Sequence, residues 1–208
     1  MSRIAIIGAG ELGQQIAHLG QNNAYTIVGF FDDWATVDTV AGLPVFGKLS
    51  EIDNYRSCFD VLVMGIGYKH FAFKEQLFSE LSDKYEFATL IDKSAIIDPS
   101  AVVGSGSVIY PNVVIDKDVR VGRDTIVNLS TNICHNSIIG DHCYLSPAVN
   151  LAGYVIVGKA VFIGIGATVV DHLSICDNAT IGAQSLVLRS IDSFCSKGSF
   201  AGIPAREL

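Results

Sequence analysis

The chain has 208 residues, half of them hydrophobic and 17% charged, which excludes a disordered polymer and allows one or two small domains. Twenty glycines against five prolines, with only 9% aromatics, point to a chain packed by aliphatics in many short strands. Asp and Glu outnumber Lys and Arg by 21 to 14, and the net charge of −7 argues against an electrostatic nucleic-acid binder.

Residues 1–13 do not read as a signal peptide, because a short Ile run gives way at once to a glycine cluster. No apolar stretch reaches the roughly 18 residues that a membrane helix needs, so no membrane partner is expected. The five cysteines are odd in number and show no C-x-x-C spacing. That pattern predicts a reduced, cytoplasmic protein without a disulfide framework or a cysteine zinc site.

Residues 3–7 predict a first strand. Gly8-Ala9-Gly10-Glu11-Leu12-Gly13 follows, and residues 11–22 predict a helix with Leu12, Ile16 and Leu19 on one face. A second strand is expected over 25–31, ending in Asp32-Asp33. Strand, G-x-G-x-x-G, helix, strand and acid form a nucleotide-binding arrangement, with a purely structural glycine turn as the alternative. The glycines let the backbone approach a phosphate at the helix N-terminus, and the acid reaches a ribose hydroxyl. A third strand (61–65), a helix (71–81) and a closing strand (87–91) complete a small Rossmann-like unit. About 90 residues are too few for the two-halved dinucleotide fold, so no NAD is expected. The alternatives for Asp32 and Asp33 are solvated loop acids, and for Trp34, packing.

From Ile91 the aliphatic positions recur every six residues: Ile97, Val103, Ile109, Ile115, Val121, Val127, Ile133, Ile139, Leu145, Leu151, Val157, Ile163, Val169, Ile175, Ile181 and Val187. Small residues usually follow four positions later, and Gly or Asp often comes directly after the aliphatic. This predicts a parallel β-helix of nearly six triangular coils, 18 residues each, with glycines permitting the turns. The fold class is therefore mixed: an α/β domain over residues 1–89, then an all-β domain of hexapeptide repeats over 90–208. Residues 18 apart should lie one above another. His135 then sits under Gly153, Asn128 under Ser146 and Tyr144 under Phe162.

The chain resembles the left-handed β-helix acyltransferases. Its full arrangement is similar to the bacterial acetyltransferases that make N-acetylated 4-amino-4,6-dideoxy sugar nucleotides, a family that includes sialic acid O-acetyltransferases. The residues that carry the likeness are Gly8-Ala9-Gly10, Phe30-Phe31-Asp32-Asp33, Gly65-Ile66-Gly67, Leu90-Ile91-Asp92-Lys93-Ser94-Ala95, Val127-Asn128, Cys134-His135-Asn136, Leu151-Ala152-Gly153 and Gly202-Ile203-Pro204-Ala205-Arg206.

This resemblance implies an acetyl-CoA-dependent N-acetyltransferase acting on a UDP- or dTDP-linked 4-amino-4,6-dideoxy sugar. It places the nucleotide sugar on Gly8, Gly10, Asp32, Asp33, Gly67, Tyr68 and Asn128. His135 becomes the general base, with Asn136 orienting it. Acetyl-CoA falls to Tyr144, Gly153, Ile165, Ala167, Ala183 and Arg206, although Arg206 has the alternative of merely capping the chain end. The resemblance also implies a homotrimer with active sites between neighbouring β-helices; no metal is expected from the cysteine and histidine spacing.

Two departures stand out. Asn136 replaces the acid that usually follows the histidine, and Tyr144 stands where a second histidine is common. An acid would both orient the imidazole and stabilise its cation, whereas Asn does only the first. Cys134 reads as a filler in the small-residue slot after Ile133. His142 and His172 read as solvated or structural turn residues. A three-histidine zinc site is the rival, but 135, 142 and 172 are not whole coils apart. A sugar O-acetyltransferase is the alternative within the fold. A non-enzymatic nucleotide-binding protein is the alternative outside it.

Overall fold

The computed structural model describes residues 2–192 in full, and the backbone alone of 199–201 and 206–207. Two compact units divide the chain, Met1–Leu90 and Ile91–Leu208.

In the first unit β1 (Arg3–Ile7), α1 (Glu11–Asn22), β2 (Thr26–Phe31) and a later strand (Val61–Met64) follow the expected order. A hairpin at Thr39–Val40 and Leu43–Gly47, and a 3-10 helix at Leu49–Tyr55, fill the interval that the sequence left unassigned. In sheet order the strands run hairpin first, then β2, β1 and Val61–Met64, all parallel except for the hairpin pair. Ala5, Ile6, Ile7, Phe30, Phe31, Leu62 and Val63 are fully buried in it, because a parallel sheet covered on both faces needs continuous apolar strands. The closing strand expected over 87–91 does not form as such. Phe87 makes a single bridge to Leu62, and Leu90–Ile91 is instead the first rung of the second unit's ladder. Helix α2 spans Phe71–Ser82.

The second unit is the parallel β-helix. Seventeen two-residue strands run from Leu90–Ile91 to Leu186–Val187, one per hexapeptide. They stack into three parallel sheets with a register of 18 residues, as in Tyr144↔Phe162, Asn150↔Thr168 and Ile156↔Ser174. Every periodic aliphatic from Ile109 to Val187 is buried to 3% exposure or less. Ile91, Ile97 and Val103, at the first coil, are only partly covered.

Several buried hydroxyls of the β-helix are paired, although Tyr110 Oη is buried without a partner among the described residues. Ser107 Oγ donates to Gly122 O at 2.7 Å, Thr125 Oγ1 to Gly140 O at 3.0 Å and Ser137 Oγ to Ala152 O at 3.0 Å. Each hydroxyl also accepts a backbone N–H from the next coil. Hydroxyls in a narrow core thus tie successive coils instead of costing desolvation.

Glycine's role differs from the expectation. The positive-φ corners are taken mainly by other residues, among them Asn112, Asp118, Asp124, Asn136, His142, Tyr154 and His172. Gly104, Gly122, Gly140 and Gly158 sit where a Cβ would come within 2.6 Å of the adjoining coil. These glycines serve coil spacing, not turn conformation. Among the described residues no helix is long and apolar enough to cross a membrane.

Candidate active site

Each unit carries part of the predicted site. In the first, a cleft of about 570 Å³ is lined by Gly8, Gly10, Asp32, Asp33 and Gly67, together with Leu12, Ile66, Trp34, His70 and Phe73. Tyr68 does not line it. Gly13 explains how the loop and helix fit together: a Cβ there would fall 2.0 Å from Gly8 O. The loop therefore packs directly on the first turn of α1, whose leading N–H groups stay open to a ligand.

Asp32 has a structural task that spacing alone did not reveal. Its carboxylate accepts Ala9 N–H at 2.7 Å through one oxygen, and Trp34 N–H at 2.8 Å and Ala35 N–H at 3.0 Å through the other. It ties the glycine loop to the segment after β2. Asp33 Oδ1 accepts Leu49 N–H at 2.8 Å. Neither acid is a merely solvated loop residue.

In the second unit His135 stands on a corner of the β-helix, exposed, with Nδ1 3.2 Å from Asn136 Oδ1. A carboxamide oxygen only accepts, so the neutral tautomer that makes this contact is the one with its proton on Nδ1 and its lone pair on Nε2. The ring lies flat on Gly153, one coil along: a Cβ at that position would be 2.7 Å from Cε1 and 2.9 Å from Nε2. His135 N–H reaches Asp116 Oδ2 at 3.2 Å, and Tyr154 meets the imidazole edge-on at 5.4 Å between centroids. The sequence reading singled out neither residue. The 18-residue map would have found both, since Asp116 lies one coil under Cys134 and Tyr154 one coil over Asn136. Burial, then the charge of Asp116, pushes the Cys134 thiol up, which suits a filler and not a nucleophile.

The acetyl-CoA candidates divide. Among the described residues the N–H groups of Gly153, Ile165 and Ala183 have no acceptor. Ala167 is different: it is fully buried, its N–H donates to Gly164 O and its carbonyl accepts Asn150 N–H. It therefore has nothing to offer a ligand, because the small-residue slot that made it recognisable also turns it inward. Asn128 and Tyr144, assigned to different ligands, are joined: Asn128 Nδ2 donates to Tyr144 Oη at 3.2 Å. The Asn128 side chain also accepts Leu129 N–H, and Tyr144 stacks on Phe162 at 5.9 Å. Arg206 forms backbone pairing only within the described part; its side chain lies outside the described residues, as does 202–205.

His142 is a corner residue but not a solvated one. It is 6% exposed and its Nδ1 lies 2.8 Å from Asp124, itself 1% exposed. It occupies a different corner from His135. His172 is exposed and stacks on Tyr154 at 4.8 Å. Among the described residues no group of three or more His, Cys, Asp or Glu is placed to hold a metal.

The family described as the PglD N-terminal domain matches residues 3–81. A histidine-to-alanine variant of GDP-perosamine N-acetyltransferase from Caulobacter crescentus, solved with CoA and GDP-perosamine, superposes with a TM-score of 0.92 at 26% identity, covering 100% of this chain and 97% of that one. The chain carries the left-handed hexapeptide-repeat acyltransferase fold. The acetyltransferase domain of PglB from Neisseria gonorrhoeae gives a TM-score of 0.90 at 26% identity, with 100% of both chains covered. Among curated relatives, a probable UDP-3-O-acylglucosamine N-acyltransferase from Arabidopsis thaliana is 37% identical over 83 residues, 40% of this chain. The chain spans 27% of that relative's length and 25% of its Wolinella succinogenes counterpart.

Proposed function

We propose that this hexapeptide-repeat chain is an acetyl-CoA-dependent N-acetyltransferase whose acceptor is a nucleotide-linked 4-amino-4,6-dideoxy sugar. The observation that carries the reading is His135: an exposed imidazole, oriented through Nδ1 by Asn136, lying on the bare Cα of Gly153 beside an unpaired backbone N–H. The solved neighbours support the substrate class, since the Caulobacter enzyme was crystallised with CoA and GDP-perosamine and the Neisseria domain with acetyl coenzyme A.

The reaction needs little else. The amine nitrogen attacks the thioester carbonyl carbon, and His135 Nε2 takes the proton that the nitrogen sheds. Gly153 N–H donates to the oxyanion that forms. The C–S bond then breaks, and the imidazolium returns its proton to the leaving thiolate. General base catalysis of this kind contributes about 10²–10⁴-fold, and preorganised N–H donors lower the barrier further. Ile165 and Ala183 N–H groups are suited to the amides of the CoA arm. The nucleotide diphosphate occupies the glycine-loop cleft of the first unit.

We take the working form to be a cytoplasmic homotrimer. Ile138 and Ile156 stand outward one coil apart at 43% and 48% exposure, an aliphatic pair that suits burial against a second copy; exposed Arg120 separates them from Val102 in the same ladder.

The test is thiol release from acetyl-CoA against UDP-, dTDP- and GDP-linked 4-amino sugars, with hydroxyl sugars as controls. His135→Ala should lose about 10²–10⁴-fold in kcat while keeping its oligomeric mass by light scattering. Turnover only with hydroxyl sugars would move the reading to O-acetylation. Wild-type turnover in His135→Ala would remove the base assignment.

A further inference from the structure

The cleft of the first unit has a feature that the chemistry above leaves unused. Trp34 follows Asp32-Asp33 and is 73% exposed, more than the alternative of mere packing would leave open. Phe73, from the first turn of α2, is 40% exposed and meets the indole at 68°, with centroids 6.3 Å apart. Both rings line the cleft beside apolar Leu12, Leu49 and Ile66. Large aromatic side chains are usually drawn out of water, so a pair left open in one concave site is informative.

The backbone beneath the indole is fixed. Trp34 N–H and Ala35 N–H are both held by Asp32 Oδ1, and Asp33 anchors to Leu49 N–H. The ring is thereby offered from a braced loop, at small ordering cost to a ligand. Its faces fit a flat, apolar-faced group such as a nucleobase and offer nothing to a phosphate.

We propose that Trp34, braced by Phe73, is the platform on which the nucleobase stacks, and that it selects base-bearing diphosphates over diphosphate or sugar phosphate alone. This rests on the reading that the cleft takes the nucleotide end of the substrate. Stacking tolerates any base, because each presents a π face. UDP, dTDP and GDP should therefore all bind, and hydrogen bonding elsewhere decides their order.

Trp34 is the chain's sole tryptophan, so its emission reports on this site alone. The experiment titrates the intact protein with UDP, dTDP, GDP, ribose 5-phosphate and inorganic pyrophosphate, following emission and, separately, heat. The nucleotides should change the emission saturably; the two base-free ligands should not. Trp34→Ala should weaken nucleotide binding about 5- to 150-fold and leave pyrophosphate binding unchanged. Trp34→Phe should recover most of the loss. In the acetyl-transfer assay the alanine variant should raise KM for the nucleotide sugar with kcat nearly constant.

Nucleotide binding that leaves Trp34 emission unaltered, or wild-type affinity in Trp34→Ala, overturns the platform while the acetyltransferase reading stands. A wild-type protein that binds none of the three nucleotides overturns both. Because the indole is exposed, its removal leaves no core cavity, and circular dichroism of the variant checks that it folds.

Discussion

Gly153→Ala tests the site with one methyl group. The three atoms nearest the added Cβ all belong to the His135 ring, at 2.7, 2.9 and 3.2 Å. Ordinary carbon contacts need about 3.5–4.0 Å, so the imidazole must retreat by about 1 Å. Room exists for that, since His135 is exposed and no backbone atom stands among those contacts. The retreat pulls Nδ1 off Asn136 Oδ1 and carries Nε2 away from the Gly153 N–H. A misplacement of about 1 Å at a reacting group costs about 10²-fold, so kcat should fall by that order. Stability should move by less than about 1 kcal/mol, because residue 153 does not use a positive φ and alanine stiffens the unfolded chain. The assay is thiol release by Gly153→Ala, His135→Ala and the double variant, with thermal melts alongside. If the methyl acts through the ring, the double variant is no slower than His135→Ala. Independent, multiplicative losses would refute the argument, as would wild-type turnover in a folded Gly153→Ala.

Two further predictions follow from the same geometry. Asn136→Asp places a negative charge about 3 Å from His135 Nδ1, which favours the imidazolium; the base is active only when neutral, so the acidic limb of kcat/KM should move to higher pH, and an unmoved limb would separate that limb from His135. Ser137→Ala strands the buried Val155 N–H and the half-buried Ala152 C=O, and should cost about 1–3 kcal/mol, read as a loss of about 2–12 °C in melting temperature.

Legibility in this chain follows the repeat. The β-helix could be read because its register is a sum: one hexapeptide per strand, three per coil, and 18 residues from any side chain to the one above. That rule alone puts Tyr144 beside Phe162 and His135 beside Gly153. The strands of the first unit were legible through apolar runs around the glycine loop. What was not legible is which atom each polar group already serves. Asp32 had the position of a ribose ligand, and spacing did not reveal that it also accepts three backbone N–H groups. Ala167 had the right neighbours in sequence and the wrong side of the wall. His142 reads as either solvated or structural, and Asp124, one coil beneath it, makes it the structural one. The 18-residue map held that last pairing, since 124 and 142 differ by one coil.

The corner residues show why the same repeat hides chemistry as well as fold. A corner at positive φ favours glycine on steric grounds, with Asn and Asp next. Here the column over Asp118 continues as Asn136, Tyr154 and His172, all near +60°. Two of these are bulky, and a left-handed backbone at a bulky side chain costs free energy that a neutral drift of sequence would tend to remove. Their side chains project together: Tyr154 edge-on to His135, and His172 stacked on Tyr154. Beside them Gly153 has no need of glycine's conformational range and yet has no side chain. The strain-tolerant residue and the strain-bearing ones have exchanged their usual places on this corner. Non-glycine residues hold positive φ at the other corners as well, His142 and Gln184 among them, so what marks this corner is the missing side chain at Gly153, which leaves the space that the His135 ring fills.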